Sequence, residues 1–154
     1  WTVPLDESAK CWALGEATGP KTDLPGTEHL ALPVAGEPEG ILINWYHFGE
    51  SEIECNSKGR TLTHEMGHYL GLLHPWGAKN CEHNDYCEDT PAVDYAVTSS
   101  SPQTGCKGEP VMVENYMNWT PDEVMNVFTN DQVYRKHYVL ENHPGRRTLW
   151  DKID

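Results

Sequence analysis

The segment HEMGHYLGLLH, residues 64–74, determines more about this 154-residue chain than any other stretch of its sequence. His64 and His68 lie four residues apart in a segment whose apolar residues recur at spacings of three and four, which predicts a helix. Residues four apart share one helix face, with Cβ atoms about 5 to 6 Å apart, so both imidazoles can reach one metal ion. Gly71 can adopt a positive φ and turn the chain sharply, which would bring His74 to the same ion.

The predicted helix begins near Gly59 and ends at residues that commonly stop helices. Ser57 or Asn56 is the expected N-terminal cap, and Gly71 and Pro75 bracket the C-terminal end. One face of the helix should pack against the core. The apolar residues predicted on that buried face are Leu62, Met66, Tyr69, Leu70 and Leu73.

Three histidines and a glutamate predict a catalytic zinc ion. His64, His68 and His74 would leave a fourth position for water, whose pKa zinc lowers to about 7, whereas a structural zinc takes a fourth protein ligand. Glu65 lies beside the first ligand, where it can accept a proton from the zinc-bound water and later donate it to a leaving amine. We therefore expect hydrolysis of peptide bonds, with one Zn²⁺ as the cofactor and Glu65 as the general base.

The residues before this helix predict three strands and a long loop. Trp1–Leu5 and Cys11–Thr18 are short candidates for strands, and Gly40–Phe48 is the strongest because it is rich in β-branched and aromatic residues. The segment between the second and third strands, residues 19–39, is rich in proline and glycine and is predicted to be a loop.

The residues after the helix predict an irregular lobe and one further helix. Residues 76–110 are polar, show little periodicity and are rich in Cys, Asp, Ser and Gly, which indicates a lobe stabilised by disulfides or metal ions. Thr129-Asn-Asp-Gln132 matches a capping box, and the apolar residues that follow it predict a helix over Asn130–Asn142.

Five cysteines in a small Gly- and Pro-rich chain indicate disulfides and an oxidising compartment, so a secreted protein is expected. The odd number leaves at least one cysteine unpaired. Cys81, Cys87 and Cys106 lie in the irregular segment and Cys11 and Cys55 lie upstream, which leaves several pairings open. No Cys-x-x-Cys pair is present, which argues against a structural zinc finger.

Composition argues against two classes of partner. Eleven Lys and Arg residues against 24 Asp and Glu residues give a net charge of −13, so a nucleic-acid backbone would be repelled. No apolar run approaches the ~20 residues of a membrane helix, so no membrane partner is expected. The length fits one domain. Trp1–Leu5 lacks the basic leader and apolar run of a signal peptide, so the numbering is expected to begin after processing or truncation.

HEMGHYLGLLH resembles the extended zinc motif of the metzincin peptidases, and Asn115-Tyr-Met-Asn-Trp119 resembles their Met-turn. The resemblance implies that Met117 lies beneath the three histidines as an apolar floor. It also implies an α+β fold, with a small twisted sheet packed on the active-site helix and then an irregular C-terminal lobe with one helix. Residues 1–154 would form a single catalytic domain, with residues 1–74 as a truncated upper lobe and residues 75–154 as the lower lobe.

Among metzincins the chain is most similar to the pappalysins, which are peptidase family M43. Gly59–Thr63 before the zinc motif, Cys87–Pro91 after it and Val127–Gln132 after the Met-turn all resemble that group. Leu14–Thr18 resembles its substrate-binding edge strand. The resemblance implies a zinc-dependent endopeptidase whose protein or peptide substrate lies extended and antiparallel to this strand. The residues of the strand expected to contact substrate are Gly15, Glu16 and Ala17.

Two alternatives to a pappalysin stay open. Pro75, directly after the third histidine, is shared with the serralysins, although the glycine- and aspartate-rich calcium repeats of that group are missing. The second alternative is a non-catalytic zinc- and peptide-binding remnant of a metallopeptidase. Such a remnant is expected to lack Glu65 or a zinc ligand, and neither is missing here.

Two positions depart from the family pattern. Trp119 stands where the family usually has Tyr, two residues after Met117, so an indole N–H replaces an ionisable hydroxyl. Val124 stands where a Cys usually follows the Met-turn, so one family disulfide cannot form and one cysteine of the irregular lobe lacks its partner. The resemblance also implies two strands and a helix upstream of the first strand, so a missing N-terminal segment or propeptide is expected.

The resemblance further suggests how substrate and calcium bind. Trp119 and Glu123 are expected to line the substrate site, and Glu123 would favour a basic residue after the cut through charge pairing. A calcium site is implied in the irregular lobe, because Ca²⁺ prefers oxygen ligands. The residues expected at that site are Asp85, Glu88, Asp89 and Thr90.

Overall fold

Three short strands and three α-helices form the regular framework of the described part of the protein, as seen in a computed structural model. The strands are β1 (Thr2–Val3), β2 (Gly15–Ala17) and β3 (Ile41–Asn44). The helices are α1 (Arg60–Tyr69), α2 (Asn130–Asn142) and α3 (Pro144–Trp150). Short 3-10 turns occupy Thr27–His29 and Trp45–His47. The structure describes residues 2–3, 14–32, 39–52, 58–82 and 84–152.

The sheet has the order β1-β3-β2, so β2 lies at one edge. β1 runs parallel to β3, and β2 runs antiparallel to it, with Gly15 opposite Ile43 and Ala17 opposite Ile41. Ile43 and Ala17 are buried, and α1 packs against β2 and β3. A Cβ at Gly15 would lie 2.8 Å from Cγ of Glu65 and 2.9 Å from Cδ1 of Ile43, so glycine lets the edge strand approach α1 closely. The predicted sheet packed on the active-site helix is confirmed.

The strands are shorter than the sequence predicts. The strongest prediction, Gly40–Phe48, ends as a strand at Asn44, because the Asn44 side chain accepts a hydrogen bond from the Tyr46 N–H at 3.3 Å and begins a 3-10 turn. In the two other predicted strands, the described residues form Thr2–Val3 and Gly15–Ala17. Residues 1, 4, 5 and 11 to 13 of those predictions lie outside the described residues.

The N-terminus of α1 is capped by a residue far along the chain. Gly59 precedes the helix with φ +72°. The buried carboxylate of Asp122 accepts the backbone N–H groups of Lys58 at 2.9 Å and Arg60 at 3.1 Å. A carboxylate at this end also interacts favourably with the helix dipole. The two predicted caps, at residues 56–57, lie outside the described residues.

The C-terminus of α1 closes through Gly71, as the sequence predicts. Gly71 has φ +87°, its N–H donates to the carbonyl oxygen of His68, and the next N–H, of Leu72, donates to that of Gly67, both at 2.9 Å. These two bonds form the Schellman motif, in which a glycine reverses the chain at a helix end. The reversal buries Leu73 and leads directly into the third histidine of the motif.

Two buried arginines from the C-terminal helices donate hydrogen bonds to backbone carbonyl groups at this end of α1. Arg146 donates from Nη1 to the carbonyl oxygen of Tyr69. Arg135 donates from Nη2 to the carbonyl oxygens of Gly71 and Pro25, each at 3.0 Å. Helix C-termini favour cations because of the helix dipole and their unpaired carbonyl groups. Both ends of α1 are therefore fixed by the C-terminal part of the chain.

The buried face of α1 agrees with the predicted one only in part, because Leu70 and Leu73 are buried as expected and the three other residues are not. Met66, predicted to be in the core, is 39% exposed, and Leu62 and Tyr69 are only half-buried. The buried residues of the helix are Thr61, His64, Glu65 and Gly67. The periodicity identified the helix correctly, but the sheet and the Met-turn pack on the polar face that carries the motif, so Leu62, Met66 and Tyr69 lie nearer the surface.

The segment between α1 and α2 contains no α-helix or strand within the described residues and has a small core of its own. Trp76, Val93 and Val97 are buried together in it. The partly buried residues packed around them are Tyr95, Ala96, Val111 and Val113. Cys81 and Cys106 form a disulfide, and Cys87 is a buried free thiol. The prediction that one cysteine of this lobe lacks a partner is confirmed for Cys87; Cys11 and Cys55 lie outside the described residues.

The C-terminal lobe has one helix more than predicted. α2 has the predicted bounds, Asn130–Asn142, and both bonds of the Thr129–Gln132 capping box are present. α3 follows immediately, with Pro144 in its first turn and His143 as its N-cap. Within the described ranges, no helix has the length and apolar character needed to cross a bilayer.

Candidate metal centre and cleft

Three imidazole nitrogens converge where α1 and the turn after it meet. Nε2 of His68 lies 3.1 Å from Nε2 of His64 and 3.1 Å from Nε2 of His74, and the remaining pair is 3.3 Å apart. In a tetrahedral zinc site with Zn–N bonds of about 2.0 to 2.1 Å, two ligand nitrogens lie about 3.3 Å apart. The three nitrogens are therefore spaced to hold one zinc ion.

Backbone carbonyl groups fix the tautomers of the two helical histidines. The Nδ1–H of His64 donates to the carbonyl oxygen of Tyr116 at 2.7 Å, and the Nδ1–H of His68 donates to that of Leu72 at 2.8 Å. Because a carbonyl oxygen can only accept, each ring carries its proton on Nδ1 and presents a lone pair on Nε2. Partners of this kind orient metal-ligating histidines in known sites.

Burial keeps the three histidines neutral. It lowers the pKa of His64 to about 3 and that of His74 to about 2, with the neighbouring histidines as the next cause, and it also lowers the pKa of His68. Two neutral Nε2 atoms without protons cannot hydrogen bond to each other. A cation at their centre satisfies all three lone pairs at once, and imidazole ligands suit zinc.

The third histidine is oriented by two tryptophans. The ring of His74 stacks on that of Trp76, with centroids 4.5 Å apart and 9° between the planes. Trp119, which is 53% exposed, meets both rings edge to face, and its indole N–H donates to Nε2 of His74 at 3.1 Å. The indole N–H is therefore aimed at the point where the three imidazole nitrogens meet.

Glu65 lines the same cleft as the three histidines, and the pKa of its carboxyl group is raised. The residue is 7% exposed, and burial raises the pKa of its carboxyl group to about 7, with the charge of Glu16 as a further cause. Its Oε1 atom lies 3.1 Å from the position that a Cβ at Gly15 would take, so the carboxylate lies directly under edge strand β2. A carboxylate with a pKa near neutrality can both accept and release a proton at neutral pH.

Met117 lies beneath α1 in the fully buried part of the Met-turn. A Cβ at Gly67 would lie 2.4 Å from the Met117 sulfur, so the sulfur packs against the helix between the two helical histidines. The turn is held by Asn115, whose Oδ1 accepts the Met117 N–H at 2.9 Å. Asn115 and Gln132 exchange two side-chain hydrogen bonds at 2.9 and 3.2 Å, which links the turn to the capping box of α2.

An open cleft passes over the metal centre between β2 and the C-terminal lobe. Gly15, Glu16 and Ala17 line the cleft, and their contact with substrate stays a prediction. The other residues that line the cleft include Leu30, Leu73, Tyr86, Trp119, Asp122 and Met125. The main chain of edge strand β2 therefore borders the cleft directly above Glu65.

Glu123 lies next to the cleft lining, and its contact with substrate stays a prediction. It is exposed and is not among the described residues that line the cleft, whereas the adjacent Asp122 is buried and does line it. The physical reason is the helix cap, because Asp122 turns inward to accept the N–H groups of Lys58 and Arg60, and its neighbour then points outward.

The residues predicted to bind calcium do not form a shared ligand cluster. Thr90 donates to Oδ1 of Asp85 at 2.6 Å, whereas Glu88 and Asp89 are exposed and Asp89 accepts the Asp131 N–H at 3.0 Å. In the described ranges, no three carboxylates of this segment bring oxygens within 4.8 Å of one another. Oδ2 of Asp85 is nevertheless buried without a partner, and burial raises the pKa of Asp85 to about 6. Calcium binding therefore stays a prediction.

Three residues at this site were not identified from the sequence. Trp76 begins the segment predicted to be an irregular lobe, and its stacking on His74 depends on the fold. Asp122 follows Pro121 in a turn-like segment, and no local pattern ties it to a helix about 60 residues earlier. Tyr86 lies in the polar irregular lobe, where only its aromatic character distinguishes it from its neighbours.

Comparison with known proteins gives a consistent set of relatives. The model of peptidase family M43, described as pregnancy-associated plasma protein-A, matches residues 40–141. An extracellular metalloprotease of Arthroderma otae is 31% identical over 153 residues, covering 80% of this chain and 55% of that protein. An extracellular metalloprotease of Arthroderma benhamiae is 39% identical over 82 residues, covering 51% of this chain and 30% of that protein.

A solved structure resembles nearly the whole chain. The mature mirolysin of Tannerella forsythia, in complex with a cleaved peptide, superposes with a TM-score of 0.74 and 32% identity. The match covers 96% of this chain and 53% of that one. The chain thus spans about half the length, or less, of the relatives that it matches here.

Proposed function

Because the chain belongs to peptidase family M43, a group of metzincins, we propose that it is a zinc-dependent endopeptidase that hydrolyses peptide bonds of proteins. The observation that carries the proposal is the convergence of three neutral Nε2 lone pairs, 3.1 to 3.3 Å apart, next to the buried carboxylate of Glu65. We take residues 1–154 as one catalytic domain whose cleft lies between the lobes of residues 1–74 and 75–154.

The metal ligands are His64, His68 and His74. Zinc bound to them would act as a Lewis acid and lower the pKa of water at its open position. Met117 would support the site from below, because its buried sulfur fills the space against Gly67. The match to the family M43 model favours an M43 peptidase over a serralysin-like peptidase.

The chain's own groups would perform the binding and the proton transfers. Edge strand β2 would pair with an extended substrate peptide, antiparallel to it, through main-chain hydrogen bonds. Glu65 would take a proton from the attacking water and deliver it to the leaving amine, a role that its buried position in the cleft with the three histidines suits. The indole N–H of Trp119 donates to Nε2 of His74 in this structure, and once that lone pair is bound to zinc the N–H would be free to donate to the substrate carbonyl oxygen as negative charge develops there.

The proposed location of the enzyme is extracellular. The relatives reported above are named extracellular metalloproteases, and the Cys81–Cys106 disulfide is typical of proteins that fold in an oxidising compartment. Its proposed partners are protein and peptide substrates. The mirolysin structure with a cleaved peptide supports this class of ligand by analogy.

Cleavage of a mixed peptide library tests the proposed function. We expect the zinc-loaded chain to cut peptides internally, a zinc chelator to stop cutting, and added zinc to restore it. The reason is that the proposed reaction needs a zinc ion, held by the three histidines, to activate water. Zinc content is measured by elemental analysis in each state. A chain that holds one zinc ion and cuts nothing would contradict the proposal and favour the non-catalytic remnant.

Calcium binding at Asp85 is a second proposal, supported by the buried Oδ2 atom without a partner. We expect calcium, added at about 100 times its Kd with zinc held constant, to raise the free energy of unfolding by about 2.7 kcal/mol. Asp85→Asn should abolish this increment, whereas Asp94→Asn, at an exposed position in the same lobe, should retain it. Urea unfolding with and without calcium measures the increment, and its absence in the wild type would exclude the site.

A further inference from the structure

Tyr86 has a backbone conformation that aromatic residues rarely adopt. Its φ is +59°, and among the described residues Lys79 is the one other non-glycine residue with a positive φ. The side chain of Asn84 supports the turn by accepting the Tyr86 N–H at 3.1 Å. Bulky residues in the left-handed region are strained, and such strain persists where the surrounding structure enforces it.

The strained backbone serves to place the tyrosine ring. Gly26, with φ +86°, lies against it, and a Cβ at Gly26 would be 2.5 Å from Cε2 of Tyr86 and 2.6 Å from Cδ1 of Leu73. The missing side chain at Gly26 therefore makes the space that the ring and Leu73 share. Two positive-φ positions in separate segments are thus needed to bring these two side chains together.

Arg135 ties the segments around the ring to one another. It is buried, its guanidinium lies 6.0 Å from the centroid of the Tyr86 ring, and it donates to the carbonyl oxygens of Pro25 and Gly71. Pro25 precedes Gly26, and Gly71 lies in the turn that leads to His74. The contacts of Arg135 therefore link the Tyr86 ring to the turn that carries His74.

The ring remains available to a ligand. Tyr86 is 41% exposed and lines the same cleft as the three histidines, together with the apolar side chains of Ala17, Leu30 and Leu73. Leu73 directly precedes His74 in sequence. An exposed aromatic ring backed by apolar side chains, and continuous with a proposed active site, binds apolar groups through contact area.

We propose that Tyr86 determines specificity, forming a subsite that selects an aromatic or branched aliphatic side chain of the substrate peptide. This inference rests on the proposed function. A peptide antiparallel to β2 passes Ala17 before it reaches Gly15, beside which Glu65 lies. Tyr86 packs on Gly26, in the same turn as Leu30, and Leu30 lies against Gly19 beyond the Ala17 end of β2. We therefore assign the selected side chain to one of the three residues on the amino side of the cut bond.

The test compares cleavage of paired peptides that carry Phe or Ala at the selected position, which the peptide library identifies. We expect wild type to prefer the Phe peptide by about tenfold in kcat/KM. Tyr86→Gly, which tolerates φ +59°, should reduce this ratio to about twofold or less, and Tyr86→Phe should keep it. Tyr134→Ala, at a 70% exposed tyrosine of α2 outside the cleft, is the control and should keep the ratio.

A binding measurement separates this inference from the proposed function. The same two peptides are titrated against the zinc-loaded Glu65→Gln chain, with and without Tyr86→Gly, and circular dichroism and zinc content verify folding. If the Phe peptide binds more tightly than the Ala peptide only when Tyr86 is present, and wild type cleaves neither peptide, the subsite stands and the proposed peptidase activity is overturned. Cleavage without any such preference, or a preference that survives Tyr86→Gly, would overturn the subsite alone. A Tyr86-dependent preference for Phe at a residue on the carboxyl side of the cut bond would also overturn the proposed subsite.

Discussion

Replacing Glu65 with Gln is expected to lower kcat/KM for peptide cleavage by about 10²- to 10⁴-fold, while the chain still binds one zinc ion. Gln has the same shape as Glu but cannot take a proton from water. The buried setting of Glu65, 7% exposed and directly beneath β2, leaves little room for another base to replace it. The measurement is kcat/KM on a single library-derived peptide, together with zinc content by elemental analysis.

A change of carboxylate to amide elsewhere provides the control. Glu141→Gln, on an exposed position of α2, should cleave at the wild-type rate. Cleavage by Glu65→Gln within about tenfold of wild type would show that another group takes the proton. Loss of both cleavage and zinc would instead indicate that Glu65 supports the metal centre, and the general-base assignment would then be withdrawn.

Replacing Arg146 with Met is expected to lower the free energy of unfolding by about 3 kcal/mol. Arg146 is fully buried and donates to the carbonyl oxygens of Tyr69 and Thr18, the latter at 3.1 Å, and to Oε2 of Glu39 at 3.3 Å. Its guanidinium also lies 3.8 Å from the centroid of the Tyr69 ring. Methionine fills part of the space but leaves the two buried carbonyl groups without donors.

The adjacent residue supplies the matched control. Arg147 pairs with Asp151 at 3.7 Å, but both side chains are more than half exposed. Exposed pairs contribute about 0 to 1 kcal/mol, so Arg147→Met should change the free energy of unfolding by about 0.5 kcal/mol or less. Urea unfolding of both variants gives the comparison. Equal effects of the two substitutions would refute the role assigned to Arg146.

The features predicted correctly from sequence depend on contacts close in the chain. The helix of the HEMGHYLGLLH segment, its reversal at Gly71 and the capping box of α2 each involve residues fewer than six positions apart. Such contacts leave a local pattern in the sequence, since the helix period, a positive-φ glycine and cap residues each require particular residue types nearby.

The features that were missed depend on contacts far along the chain. α3 is anchored by Arg146, whose partners lie 77 and 128 positions away, and its seven residues show no strong periodicity. Pro144 in its first turn was the one local signal available. Met66 was wrongly placed in the core for a similar reason, because the Met-turn and the sheet determine which residues of α1 are covered.

The cap that Asp122 places on α1, together with Arg135 and Arg146 at its other end, joins the two lobes of the chain through one helix. α1 is encoded with the strands of the first lobe, yet its terminal hydrogen bonds come from the second. The same two arginines also donate to the carbonyl oxygens of Pro25 and Thr18 in the first lobe. The helix that carries two of the three histidines and Glu65 is therefore a shared element of both lobes, and we expect the spacing of the three histidines to be lost if either lobe unfolds.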